Sequence, residues 1–216
     1  MKMVEMAVKS GVSSAAQSVQ ERMSARTSQQ KNVDWEDYNC PPYFRVVHYA
    51  EDDLEVPAQR NAITWARRSY TMTVTLLVLN LFSNFILAAG GVRKAGIHSV
   101  YSLFNLCIAG ILGGYSVYHQ YKGLVTGSSK MTSRGLLVQL AVLLFILLSC
   151  FLGFSNFNGW ANLKRARRSS KMSGFWVVWT LIESCSWMAN FGLSVVVFYL
   201  VYSSSDQPVK LLPDFV

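Results

Sequence analysis

Residues 115–134 read Y-S-V-Y-H-Q-Y-K-G-L-V-T-G-S-S-K-M-T-S-R, and they separate two long apolar runs. Tyrosines recur every three residues in the first half, so a helix would carry them roughly on one side. Tyrosine and lysine side chains favour the headgroup layer, because each has an apolar body and a polar tip. The pattern predicts a short amphipathic segment that lies on a bilayer surface; a plain connection between two spans is the open alternative. The residues predicted to contact lipid headgroups are Tyr115, Tyr118, His119, Tyr121, Lys122, Lys130 and Arg134.

Four apolar runs follow one another along the chain, two before this segment and two after it. They cover residues 69–91, 97–118, 135–154 and 173–202. Each has about 20 residues or more, the length that crosses a hydrocarbon core. Backbone groups cannot be left unpaired in lipid, so we expect each run to be a helix. The predicted fold class is therefore all-α: a polytopic membrane protein with four transmembrane helices and both termini on the same side.

The composition supports the same class. Of the 216 residues, 51% are hydrophobic and only 15% are charged, which is too apolar for an ordinary soluble domain. The formal net charge is +8, and seven of the twelve acidic residues lie within residues 34–55. A basic surface around membrane spans attracts anionic headgroups, so anionic membrane lipids are the predicted partner. Nucleic acid is a poor alternative, because the basic residues are spread over short loops rather than gathered on one face.

The segments that flank the spans differ in character. Residues 1–31 carry a thin apolar stripe at helical spacing, without the continuous apolar region of a secretory signal peptide. A weakly amphipathic cytosolic helix and a mitochondrial presequence are both open interpretations. Residues 32–68 form a Pro- and aromatic-rich, membrane-proximal segment, where Pro41, Pro42 and Pro57 forbid one long helix. Residues 203–216 form a C-terminal tail.

Glu183 is the one acidic residue inside a predicted span. An ionised carboxylate in hydrocarbon is costly, so Glu183 should face other helices, water or a cation. Two interpretations are open: a proton or ion relay, or a structural acid that is hydrogen bonded or kept protonated. The predicted partners are polar residues of the other spans: Asn80, Asn84, Asn105 and Gln139.

A basic loop precedes the fourth span and reads L-K-R-A-R-R-S-S-K over residues 163–171. Its five cations are Lys164, Arg165, Arg167, Arg168 and Lys171. Such a cluster binds phospholipid headgroups or an acidic partner subunit. A simply solvated loop is the alternative.

Recognisable catalytic and cofactor-binding motifs are missing from the sequence. It contains no phosphate-binding G-x-x-x-x-G-K-[ST], no H-E-x-x-H and no G-x-S-x-G. The four cysteines form no C-x-x-C pair, which argues against zinc and against a disulfide framework. We therefore predict a protein without enzymatic activity, metal or cofactor. The charges do not set the topology, since seven basic residues lie near the membrane on each side.

Four blocks of sequence carry a resemblance to a known family. They are P-P-Y-F-R-V-V-H-Y-A-E-D-D-L-E-V-P-A-Q at residues 41–59, T-L-L-V-L-N-L at 75–81, G-G-Y-S-V-Y-H-Q-Y-K-G-L-V-T-G-S-S at 113–129 and L-G-F-S-N-F-N-G-W at 152–160. In this order they resemble the secretory carrier membrane proteins. The third block is similar to the family's G-Y-x-C-W-x-R-P-x-Y-K-A-F-R-x-x-S-S at Tyr115, Tyr121, Lys122, Ser128 and Ser129. The chain departs from the family at residues 116–120, in its basic third loop and in the missing N-terminal N-P-F.

The resemblance implies four spans, cytosolic termini and a cytosolic amphipathic segment between spans two and three. It implies a non-enzymatic role in vesicle trafficking, exocytosis and endocytosis, in Golgi, endosomal or plasma membranes. Contacts with lipids and with unidentified protein partners, in a homo- or hetero-oligomer, would carry that role. The charge of the segment between spans two and three separately predicts binding to anionic, phosphoinositide-containing bilayers. A second interpretation is an accessory subunit of a large membrane complex, in the mitochondrial inner membrane, with the basic loop docked on acidic neighbours. A small transporter that uses Glu183 is the third.

Overall fold

The structure is a computed structural model that describes residues 33–41, 43, 45–92, 94–151 and 156–205. The predicted N-terminal segment, residues 1–31, lies outside the described residues, as does the C-terminal tail beyond residue 205. The chain divides into two units between His48 and Tyr49. Each unit is described by itself.

The described part of the first unit is a short turn. An isolated antiparallel bridge joins Cys40 to Val47, where Val47 N donates to Cys40 O at 3.0 Å. The His48 side chain is buried, and its Nδ1 donates to the Asp37 carbonyl at 3.0 Å. The Trp35 ring meets His48 edge-on, with 5.7 Å between ring centroids. These contacts hold the two ends of the turn together.

Four long helices make up most of the second unit. α1 is Pro57–Ala89, α2 is Ala95–Val125, α3 is Ser129–Phe151 and α5 is Ser173–Ser204, while a short helix, α4, covers Leu163–Arg167. The four long helices are each long and apolar enough to cross a membrane, which confirms the predicted fold class. Their outer surfaces carry large apolar side chains, with Phe82 and Phe104 each 59% exposed and Ile111 73% exposed. The chain is an integral membrane protein.

The four long helices pack as an antiparallel bundle. α1 and α3 each pack against both α2 and α5. Short turns join α1 to α2 and α2 to α3, as in up-and-down four-helix bundles. The backbone is left-handed at Lys94, with φ 69°, and at Gly127, with φ 63°. We call the end that holds residues 126–128 the α2–α3 end, and the opposite end, which holds α4, the α4 end.

Three helices extend several residues beyond the predicted spans at the α2–α3 end, among them α3, which begins at Ser129 rather than at residue 135. α1 begins at Pro57 rather than at residue 69, since proline is well suited to the first turn of a helix. α2 continues to Val125, so residues 115–125 form its last turns. Its length is about 46 Å at 1.5 Å per residue, which exceeds the roughly 30 Å of a hydrocarbon core. The predicted surface segment is therefore built from two helix ends joined by a turn.

Small residues let neighbouring helices approach closely. A Cβ atom on Gly123 of α2 would lie 2.5 Å from the backbone nitrogen of Thr132 of α3. Gly113 receives the ring of Tyr70 from α1, and the Tyr70 hydroxyl donates to the Gly110 carbonyl at 3.0 Å. Membrane helices use small residues in this way because lipid gives no hydrophobic drive for association, so close packing must supply it.

Two apolar clusters fill the interior of the second unit. The first is Leu76, Leu77, Ala109, Ile146, Phe157 and Trp187. The second is Leu87, Val92, Ala95, Ala166 and Trp176. Phe157 lies in the connection after α3, and its ring centroid is 5.7 Å from that of Phe145 and 5.3 Å from that of Trp187. The connection therefore enters the bundle instead of lying across its end.

Candidate functional site

Glu183 of α5 lies at the centre of a buried polar cluster, with only 3% of the residue exposed. Its Oε1 accepts hydrogen bonds from Asn80 Nδ2 at 2.6 Å, from the Asn158 backbone N–H at 3.2 Å and from Trp187 Nε1 at 3.3 Å. Its Oε2 accepts from Trp179 Nε1 at 2.8 Å and from Asn158 Nδ2 at 3.2 Å. Five N–H groups therefore surround one carboxyl group.

The two asparagine amides in this cluster are oriented by other partners. Asn158 Oδ1 accepts from Trp176 Nε1 at 2.9 Å, so the amide nitrogen of Asn158 faces Glu183. Asn80 Nδ2 also donates to the carbonyl of Asn156 at 3.2 Å, and a carbonyl oxygen only accepts. The amide nitrogen of Asn80 is therefore fixed on the Glu183 side. A carboxylate offers two acceptor oxygens, and this arrangement supplies donors to both.

The geometry favours the structural interpretation of Glu183 over a relay. A proton relay requires further titratable groups within hydrogen-bond reach. The described hydrogen-bond donors to Glu183 are asparagine amides, tryptophan indoles and one backbone N–H, none of which titrates near neutral pH. We conclude that Glu183 joins α5 to α1 and to the connection after α3.

Amide side chains hold that connection inside the bundle. The carbonyl of Asn156 accepts from Asn84 Nδ2 at 3.0 Å, in addition to Asn80. In the Asn156 side chain, Nδ2 donates to Ser102 Oγ at 2.8 Å, and Oδ1 accepts from Asn105 Nδ2 at 2.9 Å. Non-helical backbone at membrane depth is tolerated only where protein groups satisfy it. Polar side chains of α1 and α2 do so here.

Three of the four predicted partners of Glu183 belong to this cluster. Asn80 bonds to Glu183 directly, which confirms that pairing. Asn84 and Asn105 have no described hydrogen bond to Glu183 but form hydrogen bonds with Asn156, which is bonded to Asn80. They therefore belong to the same cluster without bonding to Glu183.

The pairing predicted for Gln139 and Glu183 is wrong. Gln139 Nε2 donates to the Ser194 carbonyl at 3.0 Å, and Gln139 Oε1 accepts from Gln120 Nε2 at 2.7 Å. Ser194 is about three turns along α5 from Glu183, a rise of roughly 16 Å. Gln139 therefore belongs to a second polar group, at a different depth in the bundle.

Sequence reasoning missed three donors to Glu183, namely Asn158, Trp179 and Trp187. The two tryptophans stand four residues before and four after Glu183, a spacing that places all three on one helix face. That signal was readable from the sequence. The contribution of Asn158 was not, because it depends on how far a non-helical connection enters the bundle.

The five residues of the predicted basic loop lie at the α4 end. Lys164, Arg165 and Arg167 are in α4, and Arg168 and Lys171 follow it. All except Arg167 line a cavity of about 690 Å³. The loop therefore divides into four cations around a cavity and one cation outside it.

Most of the predicted lipid-surface residues are accessible at the α2–α3 end. Tyr115, Lys130 and Arg134 are exposed, and Tyr118, His119 and Lys122 are half-buried. The rings of Tyr115 and His119 stack with their centroids 3.8 Å apart. Lys122 Nζ lies 5.7 Å from the centroid of the Tyr118 ring, one turn earlier on the same helix. These side chains form one aromatic and basic surface, which we call the α2–α3 surface.

Tyr121 is a correction to this set, because it is fully buried. A helix turns by about 100° per residue, so Tyr121 lies about 120° from Tyr115 rather than on the same side. Its hydroxyl donates to Asp53 Oδ2 at 2.6 Å and accepts from the Ala50 backbone N–H at 3.2 Å. Its ring lies 4.8 Å from that of Tyr49, measured between centroids. Tyr121 therefore holds the segment before α1 against the end of α2.

Further contacts fix the same segment, residues 49–56, on α1. Glu51 Oε2 accepts from Thr64 Oγ1 at 2.6 Å, and Glu51 Oε1 forms an ion pair with Arg67 at 3.1 Å. The Leu54 side chain is buried, and its carbonyl accepts from Arg60 at 3.1 Å. Acidic residues that precede the first span thus pair with polar and basic side chains at its beginning.

The fold and its two ends define an integral membrane protein with four transmembrane helices, an aromatic and basic surface at one end and a basic cavity at the other. No protein-family model matches the chain, no curated protein matches it and no solved structure matches its fold. The resemblance to the secretory carrier membrane proteins therefore rests on the sequence blocks alone. Each of those blocks supplies a buried residue to the structure, namely Leu54, Asn80, Tyr121 and Asn158.

Proposed function

We propose that this protein is a non-enzymatic component of vesicle trafficking in post-Golgi and endosomal carrier membranes, acting through contacts with lipids and with other proteins. The observation that carries the proposal is the α2–α3 surface, where exposed cations accompany tyrosine rings at the end of two spans. The sequence resemblance supports the same role. This role requires a surface that binds lipid headgroups on the cytosolic side of a membrane, and it requires no catalytic site.

The α2–α3 surface has the chemistry of a headgroup-binding surface. Lys130 and Arg134 are exposed, and each basic residue near an anionic membrane surface contributes about 1 kcal/mol of attraction. Tyr115 and Tyr118 lie at the same end of the bundle, where Lys122 Nζ is 5.7 Å from the centroid of the Tyr118 ring, and amphipathic rings of this kind partition into the headgroup layer. Phosphoinositides, which carry several phosphate charges on one headgroup, are the lipids that this surface would attract most strongly.

The packing beneath the α2–α3 surface supports a contact role, since the surface rests on a fixed base. Tyr121 ties the end of α2 to residues 49–56 through Asp53 and Ala50. Gly123 brings α2 into close contact with Thr132 of α3. A rigid base lowers the entropy cost of binding, because fewer side chains must be ordered when a partner arrives.

A non-catalytic role is supported by the state of the single intramembrane acid. Both carboxyl oxygens of Glu183 accept N–H groups, and the residue is buried. Such a group is positioned to hold helices together rather than to exchange protons with a substrate.

The localisation of the intact protein tests this proposal. We expect a protein tagged at its C-terminus, expressed from its own locus, to label Golgi, endosomal or plasma membranes and to fractionate with vesicles. The competing role, an accessory subunit of a large mitochondrial membrane complex, predicts a different result. Co-migration with such a complex on a native gel, without signal on vesicles, would overturn the trafficking role.

A further inference from the structure

A basic cavity of about 690 Å³ opens at the α4 end of the bundle. Four cationic side chains line it: Lys164, Arg165, Arg168 and Lys171. Ser169, Ser170 and the Trp176 ring complete part of its wall. Among the described residues that line the cavity, none is acidic. Its volume is in the range of small-molecule sites.

The cations stand on a fixed scaffold. Ala166, in the middle of α4, is fully buried in an apolar cluster with Leu87 and Trp176. The guanidinium carbon of Arg165 lies 5.5 Å from the centroid of the Trp176 ring, and the Trp176 indole donates to Asn158. Through Trp176, the wall of the cavity is therefore bonded to the polar cluster around Glu183.

The turn between α1 and α2 also lines the cavity, through Gly91 and Val92. Gly91 has a left-handed backbone, with φ 73°. A Cβ atom at this position would lie 2.8 Å from Lys171 Nζ, so the missing side chain leaves room for the ammonium group. Glycine is the residue that suits both needs, a positive φ and a close approach.

Acidic residues are rare in the transmembrane part of the chain. Between residues 56 and 205 the only acidic residue is Glu183. Its side chain is buried, and both of its oxygens already accept hydrogen bonds. Like charges around one cavity repel one another, and an anion that enters the cavity relieves that repulsion.

We propose that this cavity binds a phosphate group, carried either by the headgroup of an anionic phospholipid or by a small soluble phosphate compound. Arginine presents a planar fork of donors that matches phosphate oxygens, and lysine adds a point charge. The cavity lies at the ends of membrane-spanning helices, where we expect lipid headgroups. The inference does not depend on the trafficking role.

Two neighbouring arginines provide a matched test. Arg168 lines the cavity, whereas Arg167 is exposed outside it. Full-length protein in neutral detergent micelles is titrated with dibutyryl phosphatidic acid, with inorganic phosphate and with dibutyryl phosphatidylcholine. We expect Arg168→Gln to weaken phosphatidic acid binding about tenfold, the usual loss for one charge-assisted hydrogen bond. Arg167→Gln, which removes the same charge from the same loop, should change it by less than about twofold.

The probes also separate the two sources of phosphate. Tighter binding of phosphatidic acid than of inorganic phosphate supports the lipid source, and the reverse order supports a soluble phosphate compound. Both arginine side chains are exposed, so we expect both variants to fold, and size-exclusion chromatography is used to check this. Equal weakening by the two substitutions would overturn the proposal, since it would show a general surface charge. Binding of a poly-glutamate peptide but of neither phosphate probe would overturn it in favour of an acidic protein partner.

Discussion

The amide nitrogen of Asn80 lies 2.6 Å from Glu183 Oε1, and this hydrogen bond joins the first span to the fourth in the buried interior of the bundle. Both residues also bond to the connection after α3: Asn80 to the Asn156 carbonyl, and Glu183 to the Asn158 backbone and side chain. One pair of side chains therefore fixes three segments that are far apart in sequence. In lipid, where apolar side chains gain nothing by meeting one another, such bonds help to specify which helices are neighbours.

Replacing either member of this pair should destabilise the bundle, and the two effects should not add. Glu183→Gln replaces one carboxyl oxygen by an amide nitrogen, which would face N–H donors whose hydrogen bonds it cannot accept. Asn80→Ala removes one of the hydrogen-bond donors to Glu183 Oε1. We expect each change to cost about 1–3 kcal/mol. The double variant should lose less than the sum, by about 0.5 kcal/mol or more, because the residues share one cluster. Unfolding in mixed detergent and SDS micelles measures the three free energies. Strict additivity would contradict a direct coupling.

Met188→Leu is a suitable control for these variants. Met188 is 41% exposed on the same helix as Glu183, and the change conserves volume. We expect it to leave the free energy of unfolding nearly unchanged. If it destabilised the protein as much as Glu183→Gln, the loss would belong to α5 in general rather than to the polar cluster.

The close contact of α2 with α3 predicts opposite effects for two glycines of α2. A Cβ atom on Gly123 would lie 2.5 Å from the Thr132 backbone nitrogen, whereas one on Gly110 would meet nothing within 4 Å. Gly123→Ala should therefore destabilise the bundle by about 1–3 kcal/mol, because backbone must move apart. Gly110→Ala should be neutral or stabilise by up to about 1 kcal/mol, since alanine favours helix. The free energies of unfolding of both variants check this, and equal values would contradict the close approach.

Removing the Tyr121 hydroxyl should loosen the segment before α1. Tyr121→Phe keeps the ring against Tyr49 but loses the bonds to Asp53 and to the Ala50 N–H. We expect faster amide hydrogen exchange over residues 49–56, by about tenfold, which corresponds to one net hydrogen bond. Tyr118→Phe is the control, because Tyr118 is half-buried and its one described hydrogen bond joins the hydroxyl to Lys122 Nζ, at 3.4 Å, within α2. Unchanged exchange in the Tyr121 variant would show that the segment is held by other contacts.

The α2–α3 surface should bind phosphoinositides through its charge. Lys130→Gln combined with Arg134→Gln should lower the number of phosphoinositide molecules retained by the purified protein, and added salt should have the same effect. Native mass spectrometry counts the retained lipids. The charge-matched control is Lys94→Gln with Arg167→Gln at the α4 end, where both side chains are exposed. Equal losses in both double variants would refute a specific surface.

The resemblance to the secretory carrier membrane proteins predicts that the α2–α3 end faces the cytosol. Single reporter cysteines at Ser128 and Ser170, in a chain whose native cysteines are replaced by serine, should then label differently with an impermeant thiol reagent. In cytosol-side-out vesicles we expect labelling at position 128 and none at position 170 until the membrane is permeabilised. The opposite pattern would reverse the topology and place the basic cavity in the cytosol.

The membrane class and the number of helices could be predicted from the sequence, because they depend on the length of apolar runs. A run of about 20 residues in lipid must satisfy its own backbone, so it becomes a helix whatever it packs against. The same reasoning singled out Glu183, since a charged group inside a span always requires a partner. One partner, Asn80, was found in this way, because it is among the few polar residues of another span.

Only the tertiary structure decided which polar groups meet. Gln139 lies in a span, as Asn80 does, but its depth and the face it shows to α5 pair it with Ser194. Tyr121 continues a spacing that suggested a membrane surface, yet residues 49–56 cover it. Asn158 reaches Glu183 because a non-helical connection enters the bundle. The depth of a side chain in the bundle, the rotation of its helix and the path of the connection after α3 all arise from packing between segments far apart in sequence. Local sequence patterns therefore do not predict them.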